Sequence, residues 1–111
     1  MTGISQAPDA FRAQVIAEAK RDYLGLWWIV RKVREHFPEL SVSERKTATL
    51  ELLRPFLQSR ELIAGQPSKD GRTFSTWGGD ASEVLARIDE SWPEMREDPD
   101  IGEIVWFTSP A

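Results

Sequence analysis

The chain has 111 residues, 41% apolar and 29% charged, with no cysteine and a single histidine, a balance that fits one soluble globular domain with its own core. Without cysteine there is no disulfide framework, no thiolate nucleophile and no cysteine-based zinc site. The net charge of −4 is unevenly spread: residues 1–79 carry 12 Lys and Arg against 9 Asp and Glu, whereas residues 80–111 carry 2 against 9. That acidic end repels phosphate and attracts basic surfaces.

In chain order, residues 1–7 read as frayed, and Pro8-Asp9 opens a first helix with Phe11, Val15 and Ile16 on its apolar side. A core helix follows over Asp22 to Phe37, with Tyr23, Leu26, Trp27, Val30, Val33 and Phe37 as its stripe and Pro38 as its stop. The longest apolar run in this region, Leu24 to Val30, is far shorter than the roughly 20 residues of a membrane span. Ser41 and Glu44 form a capping box for a third helix that turns Leu50, Leu53, Phe56 and Leu57 inward. Pro55 interrupts that pattern, so the helix either kinks there or breaks, with Pro55 opening a short second piece.

Residues 62–65 and 72–77 read as two strands joined by Pro67-Ser68-Lys69-Asp70-Gly71, a hairpin with a polar, weakly basic tip. Gly78-Gly79 ends it, and Asp80 with Glu83 caps a fourth helix whose buried stripe is Val84, Leu85, Ile88 and Trp92. After Pro93 and a polar loop, Glu103 to Phe107 is a short β-rich run able to add a third strand to the hairpin. The expected fold is α+β and winged-helix-like: three N-terminal helices, a β-hairpin wing, a fourth helix and a short third strand, as a single domain over 1–111. A winged helix-turn-helix would require residues 42–60 to supply both a short helix and a recognition helix.

Five tryptophans make this a chain that packs and binds more readily than one that catalyses. Trp77, Trp92 and Trp106 stand at element ends and are expected to pack where hairpin, fourth helix and last strand meet. Strand alternation sends Trp106 and Phe107 to opposite faces. Asp89, Glu90, Glu94, Glu97, Asp98, Asp100 and Glu103 crowd into 15 residues, a docking face for a basic protein partner in which charge steers encounter and aromatics slow release. The rival reading is a DNA-binding transcription regulator that uses residues 42–60 and the wing, with Arg45, Lys46, Lys69 and Arg72 on phosphates. Glu44 and Glu51 on the same helix, and the small number of Arg, Asn or Gln side chains placed to read bases, weigh against it.

Catalysis has little support. His36 is the sole histidine and is expected to interact with carbonyls at a helix end. No His-x-x-x-His pair or Gly-x-Ser-x-Gly elbow is present. Asp98-Pro99-Asp100-Ile101-Gly102 starts like a calcium loop, but its glycine comes one position early and Ser109 stands where the last ligand belongs. No cofactor or metal is therefore expected. Met1 to Gln6 lacks a basic n-region ahead of an apolar stretch, and the expected location is the cytoplasm.

Phe74-x-x-Trp77, then a helix with Ile88 and Trp92, then Pro99 and Gly102-Glu103-Ile104-Val105-Trp106-Phe107 form a pattern of their own. In it the chain resembles a group of small, largely uncharacterised bacterial proteins. These are similar to proteins encoded beside secreted polymorphic toxins, which implies an immunity-like role.

Overall fold

A computed structural model describes residues 9–70, 72–92 and 104–109. Among them are four helices and four strands: α1 (Asp9–Arg21), β1 (Leu24–Gly25), α2 (Leu26–His36), α3 (Val42–Gln58), β2 (Ile63–Pro67), β3 (Phe74–Thr76), α4 (Ala81–Ser91) and β4 (Trp106–Thr108). The strands form one antiparallel sheet in the order β1-β4-β2-β3. The chain is thus an α+β protein, and β4 does join the hairpin, against β2.

Two departures from the sequence reading shape the molecule. The core helix begins at Leu26 rather than Asp22, because Leu24 and Gly25 are drawn into the sheet opposite Phe107 and Trp106. The Leu26 amide continues the ladder by donating to the Val105 carbonyl at 3.1 Å, so α2 starts directly from the sheet edge. The second concerns Pro55, where of the kink and the break left open the break does not occur, since α3 continues for 17 residues. Glu51 and Pro55 both face solvent, so the carbonyl deprived of its partner by the proline lies on the wet side, where water can serve it. The helix-turn-helix joint that a winged helix would place within residues 42–60 is therefore not formed.

Local signals account for the other boundaries. In α3 the Ser41 hydroxyl accepts from the Glu44 amide at 3.2 Å while the Glu44 carboxylate accepts from the Ser41 amide at 2.8 Å. The same reciprocal pair opens α4, between Asp80 and Glu83. Residues of all four helices join Leu24, Ala64, Val105 and Phe107 from the sheet in a single core, in which Trp92 and Phe107 are fully buried. Burial of this apolar surface is the main stabilising term. Arg12 adds a clasp by gripping Glu61 at 2.6 Å beyond α3 while its guanidinium lies over the Phe56 ring.

His36 does not serve the end of its helix. The C-cap bond runs from the Phe37 amide to the Val33 carbonyl. The imidazole meets Phe11 edge-on with ring centres 5.7 Å apart, and Nε2 lies 3.4 Å from Gln14 Oε1, which ties α2 to α1.

Candidate functional site

Of the seven acidic residues proposed as a docking face, Asp89 and Glu90 are described; Glu94, Glu97, Asp98, Asp100 and Glu103 lie outside the described residues. Glu90 is exposed at the end of α4. Asp89 is engaged from within the molecule, because Lys46 Nζ approaches its carboxylate at 2.7 Å and its carbonyl at 3.4 Å. α4 has no basic residue in its own last turn, and Lys46 supplies that cation from α3, at the negative end of the helix dipole.

The four cations of the nucleic-acid reading are not brought together on one face. Arg45 and Lys46 have only 7% and 5% of their surface exposed, and Lys46 is directed at α4. Buried cations committed to the fold cannot meet phosphates without first leaving it. Lys69 and Arg72 are exposed at the hairpin tip. That tip is ordered by Asp70, whose carboxylate accepts from the Ser68 hydroxyl and from the Arg72 amide, holding its pKa below the ordinary aspartate range.

The tryptophans separate onto the two sides of the sheet instead of packing together. Trp92 belongs to the core, and Trp77 packs against it at the end of β3 with the Arg87 guanidinium 3.9 Å from its ring centre. Trp106 lies opposite, because Phe107 takes the core side of β4 with no exposed surface.

That outer side is the feature sequence reasoning missed. Gly25, Trp106, Gly65 and Thr76 pair in one row across all four strands, so their side chains share a face. The flanking rows add Ile63 with Thr108, and Pro67 with Phe74. Tyr23 reaches over this face to meet Phe74, ring centres 5.2 Å apart. Trp27, from the first turn of α2, closes over Gly25 beside Trp106 and carries the Arg31 guanidinium on its ring. Tyr23, Trp27, Ile63, Phe74 and Trp106 are all half-buried, and none joins the core or packs against it.

Both glycines of the row are required by this surface. A side chain on Gly65 would strike the Ser75 carbonyl and come within 2.7 Å of the Phe74 ring. A side chain on Gly25 would occupy the place of the Trp27 indole. The row is thus a two-glycine floor beneath a group of large aromatic rings. Paired across strands distant in sequence, it could have been sought only as glycines flanked by aromatics in separate β-rich runs.

Among the described residues no group of three or more His, Asp or Glu side chains could hold a metal ion, and no helix is long and apolar enough to cross a membrane. Comparison with protein families, with curated proteins and with solved structures finds no match.

Proposed function

We propose that this chain is a non-enzymatic binding protein for a basic protein partner, with the outer face of its sheet as contact surface and its acidic C-terminal third as the steering charge. The carrying observation is the aromatic face itself: Tyr23, Trp27, Phe74 and Trp106 stand together outside the core. Large aromatics with an apolar body are the residues that anchor protein interfaces, and clustered exposed apolar surface marks interaction sites. The excess of seven negative charges in residues 80–111 supports a partner of opposite sign. Neutralisation of a basic toxin domain, the role implied by the family resemblance, is the form of this function we favour.

The test is co-expression with the product of the adjacent gene, purification of any complex, and measurement of its association and dissociation rates. Trp106→Ala should raise Kd by at least about tenfold through faster dissociation, as expected for an anchor residue. Reversing Glu94, Glu97 and Asp98 to Lys should slow association and flatten its salt dependence. Unchanged kinetics in both variants would end the proposal. The winged-helix likeness enters only through the hairpin, since α3 is one helix and Arg45 and Lys46 are buried. Duplex DNA titrated at low salt should accordingly give no saturating amide shifts at Lys69 and Arg72.

A further inference from the structure

A groove of about 490 Å³ opens between the last turn of α3, the start of β2 and the first turn of α4, on a different part of the molecule from the acidic helix end. Its volume falls within the range of small-molecule sites. Leu57, Leu62, Ala64 and Val84 line its apolar part, Gln58, Thr76 and Ser82 its polar part, and the exposed Arg60 stands on its wall. Arg60 combines two properties. Its backbone is left-handed, with φ of 64°, at the position just past the C-cap of α3 where glycine or asparagine relieves strain. Its guanidinium has no ion pair or side-chain hydrogen bond among the described residues, while the neighbouring Glu61 is taken by Arg12. A costly backbone position is thus occupied by a long cation that the fold itself does not use.

We infer that this groove binds a small organic monocarboxylate, its apolar body on Leu57, Leu62 and Val84 and its carboxylate on the Arg60 guanidinium. An arginine fork matches a carboxylate in two parallel hydrogen bonds, and an apolar part beside one cation asks for an amphipathic monoanion. The opposite wall restricts the charge. Asp80 lines the groove, and Glu83 is its partner in the capping box of α4. Two carboxylates there would repel a phosphate dianion more strongly than a monoanion.

The experiment titrates the full chain with phenylbutyrate, with its neutral amide and with a phenylalkyl phosphate of similar length, followed by amide chemical shifts. Phenylbutyrate should give saturating shifts at Leu57, Leu62, Thr76, Ala81 and Val84 and bind at least about tenfold more tightly than the amide, since a charge-assisted hydrogen bond is lost. The phosphate should bind more weakly than the carboxylate. Arg60→Gly should keep the fold, raise the urea midpoint and lose the preference for the carboxylate. Absence of shifts in the groove at millimolar phenylbutyrate overturns the site. Equal binding of the amide, or retained preference in Arg60→Gly, overturns the role of Arg60, and tighter binding of the phosphate overturns the ligand class. None of these readouts involves the protein partner, so they stand or fall separately from the proposal above.

Discussion

Phe107 and Trp106 are adjacent in sequence, yet they stand on sheet faces with different roles. On the inner face Leu24, Ala64, Val105 and Phe107 share one core cluster with residues from every helix and are almost fully buried. On the outer face Tyr23, Trp27, Phe74 and Trp106 meet chiefly each other and two glycines. Both faces are apolar, so composition does not distinguish them. What distinguishes them is what covers them: helices on one side, and on the other, among the described residues, the side chains of the face itself. A strand rich in aromatics can therefore hold a fold together with one residue and offer binding surface with the next.

Mutations can break this contrast in order of size. Phe107→Ala should cost about 3–5 kcal/mol in urea denaturation, because it removes a fully buried ring and leaves a cavity. Gly65→Ala comes next at about 1–3 kcal/mol, since the added methyl must push β2 and β3 apart at the Ser75 carbonyl. Trp106→Ala should cost only about 1 kcal/mol, with its main effect on partner affinity. If Trp106→Ala destabilised as much as Phe107→Ala, the outer face would be a second core and not a contact surface.

Acid provides the gentlest test. Glu61 is held below the ordinary glutamate pKa of 4.5, first by the Ser59 hydroxyl and then by Arg12. A depressed carboxylate binds fewer protons in the folded state than in the unfolded one, so its contribution is intact above pH 4.5 and is lost as pH falls below it. Glu61 is partly exposed, which limits the effect to about 1 kcal/mol or less. Glu61→Gln should remove that share of the acid sensitivity, measurable as a smaller drop in urea midpoint between neutral pH and pH 4, with the aromatic face unaffected.

The readability of the sequence follows the range of the forces involved. Both capping boxes were legible because each is complete within four residues. The alternation at Trp106 and Phe107 was legible for the same reason. β1 was not, because Leu24 and Gly25 lie inside an apolar run whose spacing is helical, and only pairing with Trp106 and Phe107 makes them a strand. At Pro55 the spacing left kink and break both open, and the exposure of Glu51 explains why α3 runs on. As for the site, a run of acids is conspicuous in one dimension, whereas the aromatic face is assembled from four separated segments. The use of Asp89 as an anchor for Lys46 was likewise invisible until α3 and α4 were placed side by side.

The strand order has a consequence for how the molecule comes into being. β4 is the middle rung between β1 and β2, so the edge formed by Leu24 and Gly25 has no neighbour until residues 106–108 arrive. A nascent chain emerging from the ribosome could wind its helices early, yet closure of the sheet must wait until those residues have left the exit tunnel. Until then Leu24 and Ala64 lack Phe107 as their cross-strand neighbour, so among the described residues β4 is the strand that closes the sheet.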